Sequence, residues 1–369
     1  IAPGNAPVVD NLERDGAIVI GRTNTPEFSM RGTTDNVIHG RTLNPWNDWA
    51  SPGGSSGGAS AAVMSGMGSL AHGNDIAGSL RIPSTATGAC TVKPGLGRVP
   101  AYNPSQTQER GLIAQLMSVQ GVIAREIKDV RLGMQSLINY DPRDPWMVDM
   151  PFQSKEIEPP MKVGFTKETL GEPMHPAIDK ALENAIDALK DAGYILEEIE
   201  LPEFEDAANF SAKTLFGEIK ALHEKDYKNL GSENFKLVAD NYFEIISPFE
   251  GEDLLLGMAK RSYFFREWNL FFRKYPLVLT PFLLYPTYEW NRDTQGIEGT
   301  KEVLAGMFYA HTMNYMGIPA GVVSANYNDG LPVGVQIIST RFREDIILNA
   351  CEEIEKRVGI MAEKLFERG

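Results

Sequence analysis

"SPGGSSGGAS", Ser51 to Ser60, places four glycines and four serines in ten positions. A glycine ordered in a fold gives up about 0.5–1 kcal/mol more backbone entropy than alanine, so such a run needs a reason. Three readings compete: a linker, a phosphate cradle, or a place where backbone and hydroxyls come very close to a reacting group. A linker separates domains. This run instead leads at once into the small-residue stretch Ala59–Met67, expected to be a helix lying close to a sheet, and then into "SLAHGND", Ser69–Asp75, expected to be a strand. A phosphate loop sets a lysine against the phosphate charge, and this run contains none. The third reading is the one that fits its context.

Further along, the same alternation of strand and helix continues. "GAIVIG", Gly16–Gly21, is a β-branched run bounded by glycines, the pattern of a fully buried strand. "KVGF" from Lys162, the amphipathic stretch His175–Ala192 and "YILEEIEL" read as a βαβ unit, with Pro176 in the first turn and Gly193 as the stop. Phe264, Trp268, Phe271 and Phe272 recur at helical spacing within Glu252–Phe272, either as core or as the wall of an apolar pocket. After "LVLTP", the runs "AGVVSA" and "LPVGVQII" flank the turn "NYNDG", and Glu344–Val358 reads as a terminal helix with Ile347, Cys351, Ile354 and Val358 on one face. The expected fold is α/β, a single large mixed-sheet domain covered by helices on both faces.

The bulk properties narrow the function classes. The chain has 369 residues, 43% hydrophobic and 23% charged, enough to pack a large core. Its 35 Lys and Arg against 49 Asp and Glu give a net charge of −14, the wrong sign for gripping a phosphate backbone, so no direct nucleic-acid partner is expected. The longest apolar run, Leu277–Tyr285, is interrupted by Thr280 and Pro281 and falls short of the roughly 20 residues of a spanning helix. No membrane partner is expected. Cys90 and Cys351 form no CxxC and have no histidine at metal-ligand spacing, so neither a disulfide framework nor a metal or other cofactor is expected, which suits a cytoplasmic protein.

A second cluster, "GNDIAGSLRIPS", Gly73–Ser84, follows the Ser69–Asp75 strand. Ile76, Ala77, Gly78 and Ser79 suit a tight turn whose successive N–H groups converge, as an anion-stabilising nest requires. Ser55 and Ser79 stand 24 positions apart, room for one helix and one strand to carry the chain out and back. With "KPGLGRVP", Lys93–Pro100, these clusters resemble the amidase signature family, in order and at that family's spacing. The resemblance extends through "GAIVIGRTNTPEF", "NPWN", "GVIAREIKDVRL", "DPRDPW", "MGIPAG" and "GLPVGVQII", essentially the whole chain. It implies one amidase signature domain over 1–369, N-terminally incomplete, with 1–150 and 300–369 as catalytic core and 200–300 as a helical insertion lining the substrate pocket.

The resemblance also implies a Ser-Ser-Lys hydrolase of carboxamides. Ser79 matches the nucleophile and Ser55 the bridging serine, with the Gly54–Ser55 peptide bond expected to be cis. A serine hydroxyl is a poor nucleophile near neutral pH, so Ser79 must shed its proton as it attacks, and Ser55 relays that proton to a base. The N–H groups of Ile76, Ala77, Gly78 and Ser79 match the oxyanion hole. Gly53, Gly54, Ser56, Asp75 and Arg81 match structural supports, and Ser29 and Met30 fall where family members present backbone to substrate. "NDIAGS" stands where the family more often has "TDIGGS", which alters the bonding expected near Asn74.

The family's base is a lysine several dozen residues before the bridging serine. Here the first lysine is Lys93, and the opening "IAPGNAPVVD" reads as the interior of a longer pattern, so the base is expected ahead of residue 1. A histidine substitute is not indicated: no G-x-S-x-G surrounds any serine, and His72 lies on the same expected strand, seven positions before Ser79. Three functions follow from the resemblance: a stand-alone amidase for a small-molecule carboxamide, possible as a homodimer; a glutaminase-type subunit of a tRNA-dependent amidotransferase; and a non-catalytic amidase-like binding scaffold.

Overall fold

The structure, a computed structural model, describes residues 2–154, 157 and 160–368. Helix α1 (Pro7–Arg14) and a short ladder of β1 (Asp35–Asn36) with β2 (Gly40–Arg41) precede the glycine run. Then come α2 (Gly57–Met64), β3 (Leu70–Asp75), α3 (Arg81–Thr87), β4 (Cys90–Lys93), α4 (Leu112–Met117), β5 (Val119–Ala124) and α5 (Ile127–Leu137). The unit β6 (Lys162–Phe165), α6 (Pro176–Asp191), β7 (Ile195–Glu198) leads into three long helices, α7 (Phe204–Leu230), α8 (Glu233–Ile246) and α9 (Gly251–Phe272). The chain ends with β8 (Leu277–Pro281), α10 (Gly296–Ala305), α11 (Phe308–Met316), β9 (Ala320–Asn328), β10 (Leu331–Ile338), α12 (Glu344–Val358) and α13 (Met361–Phe366).

Eight strands form one sheet in the order β3-β5-β4-β9-β10-β8-β6-β7. The two pairings that involve β6 are parallel and the others antiparallel, so the sheet is mixed as expected. Successive strand residues face opposite sides. Leu277 and Leu279 pack with Val130, Ile178, Leu182, Ile347 and Ile354 beneath α5, α6 and α12. Val278, between them, packs with Leu215, Phe264, Trp268, Tyr309 and Met313 of α7, α9 and α11 on the other side. Each such side chain contributes about 1.5–3 kcal/mol on full burial. Helices therefore cover both faces.

Local signals hold where tertiary partners exist. His175 caps α6 by accepting from the Ala177 amide at 3.1 Å, Pro176 occupies its first position, and β6 and β7 run parallel. The aromatic stripe of α9 is core: Phe264, Trp268 and Phe272 are buried, and the Trp268 indole N–H donates to the Pro202 carbonyl at 3.0 Å. The expectation of a buried strand over Gly16–Gly21 is not met. That run is irregular, and Ile18, Val19 and Ile20 are 86%, 56% and 74% exposed. β-propensity reports fitness for a pleated, half-buried surface, and a strand forms only when another strand accepts its backbone; none among the described residues does so here. No helix among the described residues is long and apolar enough to cross a membrane.

Candidate active site

The glycine run is packed backbone against backbone, which answers why its residues are so small. A Cβ on Gly54 would sit 2.2 Å from the Arg31 carbonyl oxygen, and one on Gly58 would sit 2.4 Å from the Asn24 carbonyl oxygen. Neither neighbour is a side chain that could swing away. Gly53 is tied down on both sides: its amide donates to Ser51 Oγ at 3.0 Å and its carbonyl accepts from Thr34 Oγ1 at 2.8 Å. The Gly54–Ser55 peptide bond is cis, as the family resemblance implies.

The serines of the run divide by what their hydroxyls touch. Ser51 donates to Thr33 Oγ1 at 2.9 Å, Ser56 to the Asn74 carbonyl at 3.5 Å, and Ser60 to the Pro83 carbonyl at 3.1 Å. These three hold the run to its surroundings. Ser55, only 7% exposed, spends its hydroxyl on no partner among the described residues, and neither does Ser79, at 8%. The Ser56 amide donates to the Ser79 carbonyl at 3.1 Å, which sets the two segments side by side.

Ser79 stands in the turn between β3 and α3, and Asp75 shapes that turn. Its carboxylate accepts from the amides of Gly78 at 2.8 Å, Leu80 at 3.2 Å and Arg81 at 3.4 Å, and from the Arg81 guanidinium at 3.0 and 3.1 Å. Both side chains are fully buried. Burial pushes the Asp75 carboxyl up, but the Arg81 charge and hydrogen bonds overcome this and hold it below the usual carboxylate range. Arg81 is anchored in turn by Gln336 Oε1 at 2.8 Å, the Ala310 carbonyl at 2.9 Å and Asn314 Oδ1 at 2.5 Å. Asn314 donates back to the carbonyls of Asp75 and Met117, each at 2.9 Å.

The amides of the turn are not equivalent. That of Gly78 is committed to Asp75, whereas those of Ile76, Ala77 and Ser79 meet no acceptor among the described residues. Gly78 has φ +110°, and a Cβ there would press on Ile82 at 2.7 Å and Ala310 at 2.8 Å. Ala77 lies outside the positive-φ region, so its methyl is accommodated. Asn74 donates to Ser118 Oγ at 2.8 Å and to the Val119 carbonyl at 3.0 Å, binding the end of β3 to the start of β5.

Ser29 and Met30 flank the glycine run on the segment that ends at the Arg31 carbonyl. Ser29 is exposed with φ +56°, and Met30 packs against Tyr227, Phe235 and Ala239 of α7 and α8. His72 pairs with Gln120 Oε1 at 2.8 Å, a structural contact. Lys93 is fully buried, donates to the Pro94 carbonyl at 3.0 Å, and is pulled down to about 7, chiefly by burial and then by the Arg81 charge. Gln336, Ala310, Asn314 and Ser118 escaped sequence reasoning. They are ordinary residues in core-like runs, made important only by where the fold brings them.

Comparison with known proteins gives the family. The amidase family pattern matches residues 1–348. The chain is 42% identical over 368 residues to an indoleacetamide hydrolase of Bradyrhizobium diazoefficiens, spanning all of this chain and 70% of that protein. Its fold superposes with a TM-score of 0.79 on a bacterial aryl acylamidase at 25% identity, over 99% of this chain and 78% of that one. It superposes equally well, at 0.79, on a glutamyl-tRNA(Gln) amidotransferase subunit of Thermotoga maritima with 26% identity, over 96% of this chain and 77% of that one. A family match over residues 1–348, with a relative 42% identical along the whole chain, makes the chain a member of the amidase signature family and a hydrolase of carboxamide C–N bonds.

Proposed function

We propose that the protein hydrolyses an arylacetamide, with indole-3-acetamide as the first candidate, to the arylacetate and ammonia through an acyl-ester on Ser79. The observation that carries this reading is the junction of Ser55 and Ser79: two nearly buried serines with unengaged hydroxyls, on segments joined by the Ser56–Ser79 backbone bond. Ser79 Oγ attacks the amide carbonyl carbon while its proton passes to Ser55 and from there towards the lysine that the family resemblance expects ahead of it. Negative charge gathers on the former carbonyl oxygen, where the free amides of Ile76, Ala77 and Ser79 are the available donors. One well-placed donor of this kind is typically worth about 2.7–4 kcal/mol of barrier.

The C–N bond then breaks, and the nitrogen leaves as ammonia with the proton returned through the same relay. Water adds to the acyl-ester and frees the acid and the Ser79 hydroxyl. Asp75 and Arg81 act on the shape of the turn and touch no reacting atom in this scheme. The aromatic substrate follows the indoleacetamide hydrolase, which shares far more sequence than the amidotransferase protein does, so the glutaminase reading is not favoured. The test is ammonia release and arylacetate formation from indole-3-acetamide, phenylacetamide, propionamide and glutamine. Preferential turnover of the first two supports the reading; exclusive turnover of glutamine, or of none, overturns it.

A further inference from the structure

The segment "KPGLGRVP", Lys93–Pro100, takes no part in the chemistry proposed above, yet two arginines converge on it. Arg261 comes from the middle of α9, and Arg341 from the turn between β10 and α12. Arg341 Nη2 donates to the Leu96 carbonyl at 2.6 Å, and the Leu96 amide donates to the Gly317 carbonyl at 2.9 Å. Arg261 lies on that same junction: a Cβ on Gly317 would sit 2.5 Å from Arg261 Nη2 and 3.1 Å from Leu96 Cβ. Gly97 admits the other guanidinium in the same way, since a Cβ there would sit 3.2 Å from Arg341 Nη2.

Neither guanidinium meets a carboxylate among the described residues. The Arg261 side chain makes no hydrogen bond there, the Arg341 side chain makes only the bond to Leu96, and the Nε of each is shut off from solvent without an acceptor. Glu344, the carboxylate nearest to Arg341 along the chain, is fully buried and already engaged: it accepts from the Gly95 amide at 2.9 Å and lies 3.3 Å from Arg98 Nε. Burial first, and then the Arg341 charge, pull Arg261 down to about 10, and burial lowers Arg341 against the pull of Glu344. Both stay charged at neutral pH, so their repulsion is not relieved by release of a proton, as it would be at a buried lysine. In a chain with 49 acidic against 35 basic residues, two neighbouring cations without an acid run against the overall balance. Shielded donors without partners and adjoining like charges both point to an anion held between them.

We propose that Arg261 and Arg341 bind a phosphate group at the Leu96–Gly97 turn, carried either by inorganic phosphate or by a small phosphate monoester. Two positive charges match a group that carries about −1.5 to −2 at pH 7. Each planar guanidinium presents parallel N–H donors suited to its oxygens. The Phe342 and Phe265 rings, 5.0 and 6.0 Å from Arg341 Cζ, keep water from part of that guanidinium, which strengthens its pull on an anion. A phosphate held here joins α9 to the turns after β4 and β10, and the site is independent of which amide the enzyme cleaves.

Isothermal titration of inorganic phosphate, methyl phosphate and acetate into the wild type, Arg261→Gln and Arg341→Gln, at constant ionic strength in chloride, tests the site. The wild type is expected to bind at least one of the two phosphates at one site per chain, about tenfold more tightly than acetate. Each glutamine variant is expected to lose at least about tenfold in affinity. Arg261→Gln gives up no hydrogen bond among the described residues, so it is expected to fold, and its thermal midpoint to lack the phosphate-dependent rise of the wild type. Arginine-dependent binding of either phosphate supports the proposal, and the tighter of the two identifies the source. No saturable phosphate binding by the wild type, acetate bound as tightly as phosphate, or affinity held within about twofold in both variants overturns it.

Discussion

The amide of Ser56 donates to the carbonyl of Ser79 at 3.1 Å, joining the glycine run to the turn after β3 by a backbone bond that needs no particular side chain. Hydrogen bonds tie both sides of this link to their surroundings. Ser51, Ser56 and Ser60 fasten one partner, and Asp75 with Arg81 fastens the other. The hydroxyls of Ser55 and Ser79 bond to no partner among the described residues, which leaves them available to the proton relay proposed above.

Replacing Ser79 with alanine is expected to abolish both amide hydrolysis and covalent labelling by a fluorophosphonate probe, since the proposed nucleophile is lost while the Asp75 strap on the turn keeps its backbone and Arg81 partners. Intact-mass spectrometry reads the label directly. A variant that still takes up one probe per chain would remove Ser79 from the role.

Ser55→Ala tests the relay separately. The Ser55 hydroxyl supports nothing structural among the described residues, so the fold is expected to keep its stability within about 0.5 kcal/mol, as for substitutions away from packing and networks. kcat is expected to fall by about 10²–10⁴, the usual worth of positioned acid–base catalysis, with KM much less affected. Stopped-flow measurement of acyl-enzyme formation checks this, and an unchanged acylation rate would argue against Ser55 as the proton carrier.

How much of this could be read from the sequence depends on how local the cause is. That the Ser55 and Ser79 segments lie together was legible because the close approaches around them demand glycine and small residues, which leave a compositional mark. Helix α6 was legible from Pro176 and its apolar period. Gly16–Gly21 was misread because its β-branched residues state a preference, while pairing needs a neighbour that no local pattern reveals. Asn314 and Gln336 reach Arg81 from residues more than 200 positions away, and Arg110 reaches Ser118 across the length of α4. Such contacts are products of topology and carry no signature of their own.

The buried pair Asp75–Arg81 should be intolerant of losing either member. Arg81→Met leaves the Asp75 carboxylate buried without its cation, and Asp75→Asn leaves the guanidinium in the same position. Removing one partner of a buried pair typically costs about 3–5 kcal/mol. Urea unfolding of each single variant and of the double variant checks the coupling. The double is expected to lose less than the two singles together, and simple additivity would show that the pair does not act as a unit.

Lys93 gives a pH dependence whose sign is fixed by its burial. Its folded value is drawn down from the ordinary 10.5 to about 7 by burial first and the Arg81 charge second, with Asp75 and Glu344 pulling the other way. Between pH 7 and 10.5 the unfolded chain holds a proton here that the folded chain does not, so this group makes stability rise with pH across that window. Below pH 7 both states are protonated and the full penalty of the buried ammonium, on the order of a few kcal/mol, is present. Lys93→Met removes the penalty with little change in side-chain length. The variant is therefore expected to exceed the wild type most at pH 6, with the advantage shrinking steadily towards pH 10. Urea midpoints of both proteins at pH 6, 8 and 9.5 measure it; an advantage that grows with pH, or a variant less stable at pH 6, would mean that Lys93 is held as a charged partner of Asp75 and Glu344.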